Sequence, residues 1–167
     1  MTDKPSDVRI TTATEDDVPL ILDFIRLLAE YERLGDACVA TAENLHRTLF
    51  TATPAAEVII ATVAGEPVGF ALFFHNYSTF LAQRGIHLED LFVSSSARGH
   101  GVGRALLAAL AQIAIDRDCG RLEWVVLDWN DLAISFYRNI GATPIEEWTT
   151  FRMTGDPLRS LAAEATT

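Results

Sequence analysis

The chain of 167 residues has little positive charge. Lysine and arginine together number 13 against 23 aspartates and glutamates, so the formal net charge is -10 at pH 7. Nucleic-acid-binding proteins carry clusters of basic residues that neutralise the phosphates. The shortage of lysine and arginine in this chain therefore argues against a nucleic-acid partner. An acidic surface attracts cationic partners such as amines, and it also serves solubility.

Cysteine is scarce as well. Cys38 and Cys119 lie in unlike contexts, so neither a disulfide framework nor a pair of zinc ligands is indicated. The four histidines are scattered without ligand spacing, and we predict no metal site. No apolar run reaches the roughly 18 residues of a membrane span, and the polar start lacks the apolar segment of a signal peptide. We expect a cytoplasmic protein with no membrane partner.

Periodicity predicts the first half of the fold. Apolar and polar residues alternate from Val8, and apolar residues then recur at helical spacing from Val18 to Gly35. A second helix is predicted over 42–50 with Thr41 as its N-cap. Residues 56–77 are typical of two strands joined by a tight turn.

The second half predicts a crossover unit. A strand over 85–93, a helix over 103–117 and a strand over 121–128 indicate parallel strands joined by a right-handed connection. A helix over 131–139 and a last strand over 146–154 follow. We predict one domain, 1–167, of mixed α/β class: a mostly antiparallel sheet with one parallel pair, flanked by helices. Residues 1–6 and 156–167 are expected to be loosely ordered.

The stretch "SSSARGHGVGRALLAAL", Ser94–Leu110, is a glycine-rich turn that opens a helix. It lacks the third glycine of a dinucleotide fingerprint, because Arg104 stands there, and no lysine nearby supports a nucleoside-triphosphate loop. Two interpretations remain. The amides from about Gly99 to Arg104 bind an anion with help from the helix dipole and Arg98, or the glycines only make a tight turn.

The spacing "RGHGVG" resembles the signature of the GNAT superfamily of acetyl-CoA-dependent N-acetyltransferases, with Arg98, Gly101 and Gly103 in the defining places. "HLEDLFVSSSARGHGVGRALL" together with "DWNDLAISFYRNIGA" is similar to the diamine (spermidine/spermine) and thialysine branch. This resemblance runs from Val8 to about Met153 and implies coenzyme A as the source of the phosphate, acetyl-CoA as co-substrate, and a homodimer.

The resemblance implies roles for two residues in catalysis. Tyr137 matches the family's acid, which protonates the departing thiolate, and Glu89 matches its water-relaying base. On their residues alone, Tyr137 also suits a core aromatic and Glu89 a solvent-exposed carboxylate. Strict alternation places Leu88, Asp90 and Phe92 on one face of the strand, and His87 and Glu89 on the other.

The expected coenzyme site comprises the strand end and its backbone amides, the glycine turn and the last helix. Asn130 is equally suited to be a helix cap, and Arg138 to be a solvated side chain. The predicted coenzyme-binding residues are Leu91, Phe92, Val93, Arg98, Gly99, His100, Gly101, Val102, Gly103, Arg104, Asn130, Tyr137 and Arg138.

A small cationic amine is the expected partner. Tyr31, Glu32, Asp90 and Trp129 are its predicted contacts. Ser78 stands where the polyamine enzymes have an aspartate, which makes an amino-acid-like amine such as thialysine as plausible as a polyamine. A non-catalytic acyl-CoA sensor and a protein lysine or N-terminal acetyltransferase are the alternatives, and retention of both Tyr137 and Glu89 favours an enzyme.

Overall fold

The structure is a computed structural model that describes residues 7–165. By internal contacts the chain forms two compact units that meet in sequence at Leu127 and Asp128. The expected loose ordering of 1–6 lies outside the described residues, as does that of 166 and 167. The single domain remains a prediction.

Among residues 7–127, the first unit contains five strands and three α-helices. The strands are β1 (Val8–Thr12), β2 (Glu57–Val63), β3 (Glu66–Ser78), β4 (Gln83–Val93) and β5 (Leu122–Trp124). The helices are α1 (Val18–Tyr31), α2 (Ala42–Leu49) and α3 (Val102–Asp116). The strands form one sheet in the order β1-β2-β3-β4-β5, antiparallel except for the parallel pair β4 and β5. The predicted fold class and the predicted parallel pair joined through a helix are confirmed.

A helix cap and a hairpin turn, each formed by residues close in sequence, fix the start of α2 and the connection between β2 and β3. Thr41 accepts a hydrogen bond from the amide of Asn44 at 3.2 Å, as predicted for the cap of α2. The β2–β3 turn passes through Ala64 and Gly65, both at positive φ, which suits a two-residue hairpin turn.

The aliphatic and aromatic side chains of α1 cover one face of the sheet. Phe24 is buried and stacks on Phe70 with ring centroids 5.6 Å apart, and it lies 5.7 Å from Phe92. Ile21 and Leu28 join the same cluster. The stripe follows the spacing of three and four residues that predicted the helix.

Helix α3 lies against the opposite face. Its C-cap residue Arg117 holds the Glu57 carboxylate with two hydrogen bonds, of 2.5 and 2.8 Å, and donates to His75 Nε2 at 3.0 Å. The pKa of Glu57 is lowered, chiefly by the hydrogen bond from Arg117. The distance from His75 Nδ1 to the Gly85 carbonyl oxygen is 3.0 Å. In the neutral imidazole Nδ1 donates this hydrogen bond when Nε2 accepts the one from Arg117. This network fixes the end of α3 to β2 and β3.

Where the structure describes it, over 128–165, the second unit contains two helices, α4 (Asp131–Asn139) and α5 (Gly155–Ala162). Helix α4 has the predicted bounds. Helix α5 begins one residue before the segment 156–167 and overlaps it, where the sequence indicated no element, and all of its residues are exposed.

Two strand predictions are wrong. The strand expected over 121–128 ends at Trp124, and the last strand expected over 146–154 is absent from the described chain. Strand propensity is realised only where a neighbouring strand supplies hydrogen bonds. Trp148 and Phe151 in the latter segment are 77% and 93% exposed, so these apolar side chains lack the burial that a strand in a sheet would give them.

Candidate active site

The glycine turn joins the carboxyl end of β4 to the first residue of α3. Gly99 and Gly101 have φ of 78° and 83°, a region that glycine enters without strain. A Cβ on either residue would meet no atom within 4 Å, so the space beside the turn is open. The first amides of α3 have no partner within the helix, and its dipole favours negative charge there. This geometry fits the pyrophosphate of coenzyme A.

Arg98 joins this turn to the end of α1. Its Nε donates to the Val93 carbonyl at 2.9 Å, and its guanidinium carbon lies 4.6 Å from the ring centroid of Tyr31 and 5.8 Å from that of Phe92. These contacts hold Tyr31, a predicted amine contact, next to the strand that carries the turn. The predicted role of Arg98 at the coenzyme phosphates remains a prediction.

The other residues of the turn have simpler surroundings. His100 Nδ1 lies 2.8 Å from the Arg98 carbonyl, which shapes the turn. Arg104 is exposed on the first turn of α3, whereas Val102 is buried beneath it and Gly103 approaches Val93. Their predicted roles in coenzyme binding remain predictions.

The carboxyl end of β4 is paired on one side only. Strand β5 pairs with Ile86, His87 and Leu88, and within residues 7–165 no strand pairs with 89–93 on that side. An unpaired strand edge binds extended chains through its backbone groups. The sequence predicted that Leu91, Phe92 and Val93 contact the coenzyme and that backbone amides around Phe92 hold the oxyanion, and these roles remain predictions.

Strand β4 carries a bulge at Glu89. Leu72 pairs with Asp90 and Phe73 with Leu88, so Glu89 is the extra residue on its strand. The prediction that Leu88, Asp90 and Phe92 share one face is wrong, because the bulge reverses the alternation. Asp90 and Phe92 share their face with His87 instead, and Leu88 points to the other.

A pocket of about 190 Å³ opens between the end of α1 and β4. Two carboxylates, Glu32 and Asp90, lie in an otherwise mostly apolar wall. The lining residues are Ile25, Leu28, Ala29, Glu32, Leu34, Ala37, Cys38 and Asp90. The structure therefore brings together two of the predicted amine contacts, Glu32 and Asp90, and Tyr31 directly precedes Glu32 in the chain.

Burial and like charge act on these two acids. Burial raises the pKa of Glu32. The pKa of Asp90 is raised to about 6, mainly by burial and further by the charges of Glu89 and Glu32. An ammonium group is the partner that would stabilise both ionised forms.

We expect Asp90→Asn to stabilise the folded protein, because it removes a buried charge, and to weaken binding of the amine. Between pH 3.8 and about 6 the folded protein retains a proton at Asp90 that the unfolded chain has lost. The free energy of unfolding therefore falls as pH rises through this window, by roughly 3 kcal/mol at most. The variant should melt at a higher temperature than wild type at pH 8 and at a similar temperature at pH 4, while the KM for the amine rises about tenfold or more.

Thermal melts at both pH values and steady-state kinetics at pH 8 test this expectation. Asp23→Asn on the exposed side of α1 is the control, and it should change neither quantity. A lower melting temperature of Asp90→Asn at pH 8 with an unchanged KM would contradict the assignment.

The second unit carries the remaining predicted residues. Asn130 Oδ1 accepts from the amide of Ala133 at 3.3 Å, so its expected role as the cap of α4 is confirmed. Tyr137 is half-buried on the helix face that it shares with Ala133, Phe136 and Ile140, as the spacing predicted. Its ring lies 5.5 Å from that of Phe136.

The other two predicted residues of this unit are more accessible. Arg138 is exposed in the last turn of α4, and Trp129 is 46% exposed.

Sequence reasoning identified the two acids of the pocket but missed most of its apolar wall. Ile25, Leu28, Ala29 and Glu32 follow the spacing i, i+3, i+4 and i+7, which places them on one stripe of α1. That stripe was a usable signal for the pocket. Cys38 and its neighbours follow α1 in an irregular segment and carried no such signal.

The described residues also bear on the predictions about metals, membranes and Ser78. Within residues 7–165 no group of three His, Cys, Asp or Glu side chains is arranged to hold a metal ion. None of the helices in that range is long and apolar enough to cross a bilayer. Ser78 is buried, and its Oγ accepts from the amide of Leu81 at 3.3 Å in the β3–β4 turn.

The mixed sheet with a glycine turn after β4 is the arrangement that the resemblance to the GNAT superfamily implied. Residues 23–142 match the Acetyltransferase (GNAT) family. The chain belongs to that family, as the resemblance implied, and the prediction of an acetyltransferase is confirmed. GNAT acetyltransferases use acetyl-CoA as co-substrate.

Several characterised relatives resemble the chain along most of its length. It is 38% identical to the thialysine N-epsilon-acetyltransferase of Bos taurus, over 94% of this chain and 98% of that protein. It is 34% identical to an L-ornithine N5-acetyltransferase of Arabidopsis thaliana, over 92% of this chain and 87% of that protein. Among solved structures, an integron cassette protein from the mobile metagenome of V. cholerae superposes with a TM-score of 0.77 at 34% identity, covering 93% of this chain and 97% of that one.

Proposed function

We propose that the protein transfers the acetyl group of acetyl-CoA to a primary amine of a small molecule, either amino-acid-like or a diamine or polyamine. The observation that carries the proposal is the pocket in which Glu32 and Asp90 lie, because two acids in an apolar wall suit an alkylammonium. Asp90 is also on the strand that leads into the glycine turn. The relatives named for thialysine and ornithine support an amine borne on a short chain.

Acetyl-CoA supplies a thioester, whose carbonyl carbon accepts the amine. The glycine turn from Arg98 to Arg104 is proposed to hold the pyrophosphate through its amides. Asn130 and Arg138 are proposed to bind the pantetheine arm and a phosphate. The backbone near Phe92 is proposed to donate to the carbonyl oxygen as negative charge develops there.

Two side chains are proposed to move protons. Glu89, with a side chain 56% exposed, accepts a proton from the ammonium through water, because only the neutral amine is a nucleophile. Tyr137 donates its hydroxyl proton to the departing sulfur, since a phenol remains protonated at neutral pH and can protonate a thiolate. The half-buried position of Tyr137 in α4 supports a sheltered hydroxyl.

A homodimer is part of the proposal. Ile145, Trp148 and Phe151 are 63%, 77% and 93% exposed, and such apolar side chains commonly lie at contacts between subunits. Light scattering at several protein concentrations tests this assembly, and a monomer at all of them would contradict it.

A substrate panel tests the choice of amine. CoA release is measured with thialysine, ornithine, spermidine, putrescine and a lysine-containing peptide at equal concentrations. We expect the highest kcat/KM with a free small amine. A preference for the peptide would favour a protein acetyltransferase, and tight acetyl-CoA binding without turnover of any amine would favour a sensor.

A further inference from the structure

His87 lies two residues before Glu89 on β4, and the two side chains approach each other. The distance from His87 Nε2 to Glu89 Oε2 is 3.8 Å, and the side chains are 21% and 56% exposed. The imidazole also packs against Phe74, with ring centroids 5.1 Å apart. Packing therefore holds one side of the ring while Nε2 lies near the carboxylate.

The bulge at Glu89 puts this imidazole on the side of the sheet that carries the pocket. His87 pairs with Phe74 and Asp90 with Leu72, two β3 residues that are two apart and share a face. In a regular strand, residues 87 and 90 would point to opposite faces. The extra residue brings His87 to the face of Asp90.

We infer that His87 and Glu89 act as one proton-accepting pair, in which His87 Nε2 is the final acceptor of the proton that leaves the ammonium. This inference rests on the proposed amine acetylation and deepens it. Imidazole is the side chain whose ordinary pKa lies nearest neutral pH, whereas carboxylates titrate near 4. A base is most effective when its pKa is close to the working pH.

The proton transfer accompanies formation of the amide and release of coenzyme A. One N–H bond of the ammonium breaks, and its proton passes by way of Glu89 or a water molecule to His87 Nε2, which later releases it to solvent. The freed electron pair forms the C–N bond to the acetyl carbon, and the C–S bond breaks with its electrons on sulfur. The sulfur accepts the hydroxyl proton of Tyr137. The nitrogen then loses its second proton, which returns to the oxygen of Tyr137.

The charged groups around the imidazole are mostly acidic. Glu89 and Asp90 lie on the same strand, and Glu32 lies at the end of α1. Glu123 is the β5 residue paired with His87, and its Oε1 lies 3.4 Å from Arg121 Nη2. The carboxylates can balance the positive charge that the imidazole gains on accepting a proton.

The pH dependence of kcat/KM in His87→Gln and His87→Phe tests the inference. At pH 7 we expect a loss of about tenfold to a hundredfold relative to wild type. The loss should shrink toward pH 10, because about half of an alkylamine with a pKa near 10 is then neutral without help. Acetyl-CoA affinity should stay unchanged, and added imidazole should restore part of the rate of His87→Ala at pH 7.

His46→Gln is the matched control. His46 also lies near a carboxylate, Glu15, at 3.2 Å, but both side chains are exposed and lie outside the site. This variant should keep the wild-type profile. Circular dichroism checks that each variant folds, and the phenylalanine variant keeps a ring against Phe74 should the glutamine variant not fold.

The outcomes separate the inference from the function. Turnover by wild type together with an unchanged pH profile in either folded His87 variant would overturn the inference alone. A rate loss that is constant from pH 7 to 10 and is not rescued by imidazole would overturn it as well, since it indicates a packing role. No turnover of any amine by wild type would overturn the proposed function and the inference with it.

Discussion

Gly101→Val should weaken acetyl-CoA binding at least tenfold in a protein that still folds. Gly101 is the N-cap of α3 at φ 83°, where a β-branched residue costs roughly 1–3 kcal/mol. No atom lies within 4 Å of the added Cβ, so strain and not collision is the cause. The backbone would relieve the strain by turning the first amides of α3 away from the anion. Isothermal titration calorimetry measures the affinity.

Gly65→Val is the matched control for that substitution. Gly65 has φ 87° in the β2–β3 hairpin, and a Cβ there also meets nothing within 4 Å. It should cost similar stability and leave acetyl-CoA affinity as in wild type. Normal affinity of Gly101→Val would mean that the glycines only make a tight turn.

Tyr137→Phe should lower kcat by roughly tenfold to a thousandfold, the usual range for the loss of a general acid. The phenyl ring keeps the half-buried packing on α4 and loses only the hydroxyl. Acetyl-CoA affinity should therefore be nearly unchanged. Steady-state kinetics and calorimetry on the same preparation separate the two effects.

Tyr77→Phe is the control for Tyr137→Phe. Tyr77 is 61% exposed near the end of β3, and the loss of its hydroxyl should leave kcat unchanged. If Tyr137→Phe turned over as fast as wild type, Tyr137 would have no part in proton transfer.

Local signals predicted most elements of the fold. The caps at Thr41 and Asn130, the helical stripe of α1 and the hairpin turn at Gly65 each depend on residues near in sequence, and each is observed. A cap or a two-residue turn is decided within a few residues, which explains why these predictions are confirmed.

The strand predictions that failed depend on partners far along the chain. Residues 125–128 and 146–154 have strand-like composition, yet no neighbouring strand pairs with them in the described chain. Val125 is 71% exposed as a result. Periodicity reports which side chains suit a sheet, and it does not report whether a partner is present.

The bulge at Glu89 limited what the sequence revealed about the site. Alternation placed Glu89 and Asp90 on opposite faces, and a single extra residue on β4 changes that assignment for every residue on one side of it. Glu32 and Asp90 were each predicted as amine contacts, but their meeting in one pocket depends on how α1 packs on the sheet. That packing is a tertiary property that the spacing of α1 only partly encodes.

The central claim is that this protein moves an acetyl group from acetyl-CoA to a small primary amine. The most direct test incubates the purified chain with radiolabelled acetyl-CoA and either thialysine or ornithine, and separates the amine from the coenzyme. We predict labelled N-acetyl product in step with CoA release, and about a tenfold or larger drop in its rate with Tyr137→Phe. Tight binding of acetyl-CoA with no labelled product from these amines or from spermidine would contradict the claim.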